Sequence, residues 1–461
     1  MSTPPAQGWG RHYCLPNHIL RLQLPIATVS HFLLPSPADS IHSLTTDRKE
    51  AVVAETGRAP TIFFSAGEPS GDLHGANLID ALKEQCPGVR CEGFGGERME
   101  AAGCDLLYPL SRLSLVGLVQ VVAHLPAFVR LVRQATRHFH EQRPDAVVLI
   151  DYPGFNWWIA RRAHALGIPV YYFVPPQIWG WATWRVSKMR RWIDHVLCTL
   201  PFERPWYEAR GVTAHYIGHP YFDDLRRQRL DPDFLARQRA RPGTVIGLLP
   251  GSRRQELEIN FASQLRAAAH IWQRRPDTRF LVACFRREHA DRAVQHLRRL
   301  FPGQGEVSGS YEDGLRGGWS VPIEVCVGRT PEIIELAHSC VTVSGSVSLE
   351  LLFRARPAVI LYRGHRPMVL AYHLLKRVRF ITLVNLLADR MLFPEFVTSR
   401  CESAAIGDHV LRWLDDRESH EALCAELRAL REQVAEPGAC DRAAGHILQT
   451  LRQTPAVPRA S

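Results

Sequence analysis

The sequence predicts two consecutive α/β domains, each a parallel sheet flanked by helices. Three observations carry this. Residues 146–150, Ala-Val-Val-Leu-Ile, are apolar without alternation, the pattern of a strand buried on both faces. Strand-like and helix-like segments alternate from Thr61 to about residue 220, as in a Rossmann-like domain. The alternation restarts at Val245, after a charged stretch over 223–243 that reads as the inter-domain connection.

The bulk composition fits. A chain of 461 residues has room for two or three domains, and 46% hydrophobic with 22% charged residues is ordinary for a globular protein. The net charge of +10 points to an anionic partner, either a phosphorylated substrate or an anionic membrane surface. No basic run is long enough to single out nucleic acid, so none is expected. The 11 cysteines are scattered without a C-x-x-C, which reads as reduced thiols in a cytoplasmic protein. The His/Cys spacings of zinc sites are absent, so no metal is expected. No apolar run is long enough for a transmembrane helix. Residues 1–58 are poor in acidic residues and lack a signal-peptide core; they read as a disordered extension or an early translation start, with a transit peptide the weaker alternative. Residues 452–461 read as a tail.

Taken in order, the first strand is 61–64. Ser65-Ala66-Gly67-Glu68-Pro69-Ser70-Gly71-Asp72 follows, before a helix over 73–84. A glycine-rich turn between strand and helix aims amide N–H groups at an anion. Ser70 and Gly71 would line it, and Glu68 and Asp72 would accept from sugar hydroxyls. The bland alternative is a helix cap by Ser70 or Asp72, and the stretch is neither G-x-G-x-x-G nor a Walker motif. Residues 93–99 form a second glycine-rich turn. Next come Leu115, Val116, Leu118, Val119 and Val122, apolar on more than one helix face and flanked by Arg130, Arg133 and Arg137. These residues read first as a buried core helix and second as a basic amphipathic helix on a membrane surface.

Asp151 ends the strand over 146–150, and Pro153-Gly154 then forces a turn. Ligands of open α/β sheets bind beyond the carboxyl ends of the strands, so Asp151 is a candidate general base. An Asx turn is the structural alternative. A helix over 157–166, a strand over 170–174, a helix carrying Arg185, Lys188, Arg190 and Arg191, and a strand over 193–198 complete this half, which closes at 216–220.

In the second half, the strand 245–249 leads into Gly251, Ser252 and Arg253, where backbone donors beside a guanidinium suit a diphosphate. A helix over 259–274, strands over 280–284 and 321–327, and a helix over 331–338 follow. The strand 341–343 runs into Ser344, Gly345 and Ser346 at a helix start, a second anion cradle. Glu350, one turn further, is placed to accept from a ribose diol. A plain turn, a helix cap and a surface glutamate are the corresponding bland readings. The last clear strand is 358–362.

Assembled in this order, these stretches resemble the bacterial lipid-A-disaccharide synthases, from about Thr61 to about Leu451. The resemblance rests on the stretch Ser65 to Asp72, Gly95-Gly96-Glu97-Arg98-Met99, Ile150-Asp151-Tyr152-Pro153-Gly154-Phe155-Asn156, Gln177-Ile178-Trp179-Gly180-Trp181 and Leu200-Pro201-Phe202-Glu203. It continues through Tyr216-Ile217-Gly218-His219-Pro220, Leu249-Pro250-Gly251-Ser252-Arg253, the stretch Ser344 to Glu350, and Asn385-Leu386-Leu387-Ala388. Each motif is short, but the ordered set is specific.

The resemblance implies a GT-B fold, two Rossmann-like parallel-sheet domains facing across a cleft, with 59–222 on the acceptor and membrane side and 223–451 on the UDP-sugar side. It implies an inverting transfer without metal or cofactor: 2,3-diacylglucosamine leaves UDP and joins the 6-hydroxyl of 2,3-diacylglucosamine 1-phosphate, giving a β-1,6 disaccharide. Asp151 matches the family's essential carboxylate, and Arg253, Glu350, Asn385 and Glu395 match positions at its UDP-sugar site. The segment 115–122 matches the part expected to meet acyl chains and membrane, which lifts the membrane reading above the core one. A domain-swapped homodimer and a peripheral place on the inner face of the inner membrane are implied too. Pro69, Gly154 and the Ser346-Val347-Ser348 version of the loop depart from the family pattern, and residues 1–58 have no counterpart there. The competing readings are another UDP-N-acetylglucosamine enzyme of the same fold, a 2-epimerase or a lipid-acceptor glycosyltransferase, and a non-enzymatic nucleotide-sugar-binding protein on a membrane surface.

Overall fold

The structure, a computed structural model, describes residues 59–112, 121–301 and 306–453. The expected extension 1–58, the candidate membrane residues Leu115, Val116, Leu118 and Val119, the side chain of Val122, and the end of the tail lie outside the described residues.

Two seven-stranded sheets follow one another along the chain. The first contains β1 (Thr61–Ala66), β2 (Arg90–Phe94), β3 (Asp105–Tyr108), β4 (Ala146–Ile150), β5 (Val170–Phe173), β6 (His195–Cys198) and β7 (Ala214–Tyr216), in the order β3-β2-β1-β4-β5-β6-β7. The second contains β8 (Thr244–Leu249), β9 (Thr278–Cys284), β10 (Leu315–Arg316), β11 (Ile323–Val327), β12 (Ser339–Val343), β13 (Ala358–Arg363) and β14 (Glu395–Thr398), in the order β10-β11-β9-β8-β12-β13-β14. All pairings are parallel except that of β10 with β11. Parallel sheets need cover on both faces. Each sheet accordingly separates two apolar clusters, and β1 and β4 are buried at every residue.

This topology fixes where ligands can sit. Strand order reverses between β1 and β4 in the first sheet and between β8 and β12 in the second. At such switch points the loops after neighbouring strands splay apart and leave a crevice. The loops after β1 and β4 carry Glu68 and Asp151; those after β8 and β12 carry Arg253 and Ser344–Ser346.

Several elements differ from the sequence expectation. The helix expected over 73–84 is Pro69–Gln85, with proline in its first turn, so Ser70, Gly71 and Asp72 are helical rather than in a loop. Gly93 belongs to β2, not to a turn. Its φ of +138° and the Phe64 carbonyl, which any Cβ would strike, admit only glycine. β2, β3 and β14 were too short or too polar to stand out. The stretch 223–243, expected as a helical or loop-like connection, does hold helix, in Tyr221–Arg227 and Pro232–Arg239.

The last helix, Ala439–Gln453, returns to the first sheet. Cys440, Ala443, Ala444, Ile447 and Leu448 share a cluster with Ile62, Phe64, Val148 and Ile150. Asp223 fixes the crossing by accepting from Gly438 N at 2.7 Å and Cys440 N at 3.4 Å. The amphipathic pattern of 439–453 shows that a face is buried but not against which sheet, so a 223–451 division drawn from alternation alone carries no sign of this return.

Candidate active site

Asp151 follows β4 in an unusual backbone state. It and Tyr152 both have left-handed φ, 42° and 48°. Two consecutive non-glycine residues in that region cost about 1–3 kcal/mol each and persist only where the surroundings over-determine them. Here they do. The Asp151 carbonyl accepts from Asn156 Nδ2 at 2.8 Å and from Tyr172 OH at 2.7 Å. Asn156 is fully buried; its Nδ2 also donates to the carbonyls of Ser65 and Ile150, and its Oδ1 accepts from Ser65 Oγ at 2.7 Å. One side chain thus ties together the ends of β1 and β4. Gly67 completes the arrangement, since any Cβ there would strike the Tyr152 ring. The bland reading of Asp151, an Asx turn, is not what forms: Asn156 and Tyr172 shape the turn through the Asp151 carbonyl.

The electrostatics suit a base. Burial pushes the Asp151 carboxyl up to about 6, Glu68 adds to the rise, and the Tyr152 amide and Arg253 oppose it. Arg253 crosses from the second sheet: its Nη2 lies 3.3 Å from Glu68 Oε2, with the guanidinium largely exposed. Glu68 and Arg253 thus pair across the two sheets, and the charges of both reach Asp151. His74 is a poor competitor as base. It is buried beside His219, and burial, with the Arg98 charge adding, lowers it to about 4.

The second sheet supplies the anion cradle. Gly251 has φ +109°, and a Cβ would overlap Glu256 and press on Val343, so only glycine lets the loops after β8 and β12 lie together. Glu256 accepts from Arg253 N at 3.2 Å and fixes the start of the helix Arg254–Arg274. Ser252, Gly345 and Ser346 are exposed, and Ser346 has no side-chain cap bond to the helix it precedes. The N-terminus of Pro69–Gln85 likewise has no side-chain cap.

Four expected site residues face other partners. Asp72 is buried, and its two carboxylate oxygens accept from Arg98 N and Met99 N, each at 3.1 Å, capping the helix Glu97–Ala101. The cap it makes is thus on Glu97–Ala101 and not on its own helix Pro69–Gln85, where a cap was the alternative expected. Glu350 is not a surface group: it accepts from Tyr221 OH at 3.2 Å and pairs with Arg354 at 3.3 Å, and burial raises its carboxyl. Asn385 is fully buried, bonded to Phe393 O and Glu395 Oε1 and accepting from the amides of Leu392 and Phe393. Glu395 in turn accepts from the Ile381 and Thr382 amides. Asn385 and Glu395 thus form a polar knot that shapes the loop before β14.

Asn156 and Glu203 carry no functional signal in the sequence beyond their place in the family motifs. Glu203, buried, accepts from Trp179 Nε1 at 2.9 Å and from the amides of Thr199 and Leu200, so two of the quoted motifs are halves of one contact. Burial raises its carboxyl. Among the described residues, the group able to offer three ligand atoms to a metal is His195, His215 and His446, separate from the Asp151 turn.

Residues 62–303 and 323–446 match the profile of the lipid-A-disaccharide synthetase family. A lipid-A-disaccharide synthase of Anaeromyxobacter dehalogenans is 33% identical over 396 residues, 85% of this chain and 97% of that protein. Among solved structures, a UDP-N-acetylglucosamine 2-epimerase described as putative, from Listeria monocytogenes, aligns with TM-score 0.56 at 14% identity, over 88% of this chain and 98% of that one. The calicheamicin glycosyltransferase CalG4 aligns with TM-score 0.53 at 15% identity, over 87% and 100%. At such identity the structural likeness speaks for the fold alone, which is GT-B. By extent of match and by identity over nearly its whole described length, the chain belongs to the lipid-A-disaccharide synthetase family.

Proposed function

We propose that this chain performs its family's reaction through the Asp151 turn: transfer of 2,3-diacylglucosamine from UDP to the 6-hydroxyl of 2,3-diacylglucosamine 1-phosphate. The single observation that carries the assignment of roles is the meeting of Asp151, Glu68 and Arg253 at the mouths of both switch points. A hydroxyl becomes a competent nucleophile when a positioned group takes its proton, and a carboxylate with pKa about 6 is ionised at neutral pH yet basic enough to do so. Arg253 and the loop amides of Gly251–Arg253 and Ser344–Ser346 would receive the charge that develops on the departing diphosphate. Glu68, Ser70 and Gly71 would face the acceptor sugar. Glu350, Asn385 and Glu395 would act on the donor side by holding the loops that meet UDP. As working domains we take 59–222, joined by the returning helix, and the second sheet with its helices.

Mixing purified protein with both acylated sugars tests the reading: stoichiometric UDP release with disaccharide formation is expected. UDP release without disaccharide, or isomerisation of UDP-N-acetylglucosamine, would overturn it.

We further propose a peripheral seat on the inner membrane. Among the described residues no helix is long and apolar enough to cross a bilayer. The helix Val121–Glu141, which continues the apolar segment 115–122, exposes Leu125 and Val129 beside Arg130 and Arg133. Its Phe128 packs on Tyr152 and Phe155, linking it to the Asp151 turn. A second patch lies where Arg377 N bonds the Gly180 carbonyl: Trp181, Trp184, Leu370 and Leu374 are exposed near Arg185 and Lys376. Apolar side chains framed by cations suit an anionic bilayer interface. Replacing Leu370 and Leu374 with Ser is expected to weaken sedimentation with anionic vesicles at least threefold while leaving melting unchanged. Unchanged sedimentation would remove this patch.

A further inference from the structure

The chain has 21 histidines, and three of them, far apart in sequence, converge where the last helix meets the first sheet. His195 opens β6, His215 lies in β7 opposite Leu197, and His446 projects from Ala439–Gln453. Their candidate ligand nitrogens all lie within 4.8 Å of one another. His446 Nε2 is 3.3 Å from His195 Nδ1. Zinc–nitrogen bonds of ~2.0–2.1 Å at tetrahedral angles set ligand nitrogens about 3.4 Å apart, so this pair already has the spacing and the third needs only a small ring movement.

Two further facts favour a ligand. His215 Nε2 is buried without a hydrogen-bond partner. A buried polar atom left unpaired is costly, and a metal ion would satisfy it. The surroundings also hold the rings in place. Tyr171 stacks on His195 at 4.9 Å and 12°, and its hydroxyl meets Thr450 Oγ1 at 2.6 Å, one turn beyond His446.

We propose that His195, His215 and His446 bind one divalent transition-metal ion of the zinc class, which pins the returning C-terminal helix to the edge of the first sheet. An all-imidazole donor set suits zinc and its borderline neighbours rather than calcium or magnesium. All three rings are partly exposed, which leaves a route for the ion and a fourth position for water. The ion would stand apart from the Asp151 turn. His195 opens β6, whereas Asp151 follows the end of β4, and the ion would tie a helix reached through the second domain to the first. No spacing rule in the sequence could show this, because 231 residues separate the second ligand from the third (446 − 215).

The test uses the full chain, stripped with EDTA, and titrates it with Zn²⁺ and, in parallel, Co²⁺. One equivalent per chain is expected, with melting raised by about 3 °C or more at saturation, as a ligand of the native state requires. Co²⁺ should give visible d–d absorption without a thiolate charge-transfer band. His446→Gln and His215→Gln should each melt like the stripped wild type and lose the metal-dependent rise. If either variant fails to fold, the other and His195→Asn ask the same question. No bound equivalent in the wild type, a rise that survives in the folded variants, or a thiolate band would each overturn the proposal.

Discussion

The two switch points of this molecule are built in opposite ways. At the first, Asp151 sits on a left-handed turn held through its own carbonyl by Asn156 and Tyr172, and beneath it lie strands without an exposed residue. At the second, Ser252, Arg253, Gly345 and Ser346 stand open, and Gly251 is the residue on which the close approach of the loops depends. A group that must receive a proton from one hydroxyl needs a fixed place and a raised pKa; burial gives both. A surface that must take and release a diphosphate works through amides and an exposed cation, and gains from staying wet until the ligand arrives. The difference predicts that substitutions at the first site act on turnover, and at the second on both binding and turnover.

The sharpest way to break that contrast is Asp151→Asn. The amide keeps the size and tolerates left-handed backbone, but it cannot take a proton in the same way. We expect kcat to fall about 100-fold or more, with UDP affinity nearly unchanged, because general-base catalysis contributes ~10²–10⁴-fold. The variant should also melt no lower than wild type. Asp151 has a folded pKa of about 6, above its usual value of 3.8, so the folded chain binds the extra proton. The stability this gives is complete at low pH and is lost as pH rises through 6. At pH 7 the ionised Asp151 therefore works against folding, and Asp151→Asn removes that buried charge. Near-normal turnover, or loss of UDP binding together with the fold, would make Asp151 a structural residue.

Arg253→Ala addresses the other side. The side chain is largely exposed and its ion pair with Glu68 contributes little to folding. Its work would come as charge develops on the leaving group, so about 2–4 kcal/mol of transition-state stabilisation should be lost with melting unchanged. A change under about twofold in kcat/KM would remove that role.

The sequence made one kind of feature readable and hid another. β4 was visible because five apolar residues without alternation have no other good use, and Asp151 stood out against them. The glycines at the strand ends marked both crevices, since sequence motifs record what the backbone requires. The identity of a buried carboxylate's partner was not legible. Asp72, Glu350 and Glu395 look alike as letters, yet one caps a neighbouring helix, one meets Tyr221 and Arg354, and one closes a loop with Asn385. Apart from Arg354, one helical turn from Glu350, those partners lie 10 to 129 residues away, and only the fold brings them together. The return of the last helix was hidden for the same reason: amphipathicity reports burial of a face without naming the surface it meets.

The smallest expected effect is also the most discriminating, because it separates the burial of Asp151 from the charge beside it. Burial is the larger cause of the raised carboxyl, and the Glu68 carboxylate is the second. Glu68→Gln removes a like charge without opening the turn, so Asp151 should become more acidic and the base should stay ionised to lower pH. The acid limb of kcat/KM, expected near pH 6 in the wild type, should therefore move down, by less than about one unit because burial remains. Arg253→Ala should move the same limb the opposite way, since the guanidinium opposes the rise. Both displacements should shrink in high salt, because Glu68 and Arg253 are solvent-accessible and screened, while the burial contribution is untouched. A limb that stays in place in both variants would mean that the group titrating in the rate profile is not Asp151, and the comparison of the two switch points would then have to be redrawn around another base.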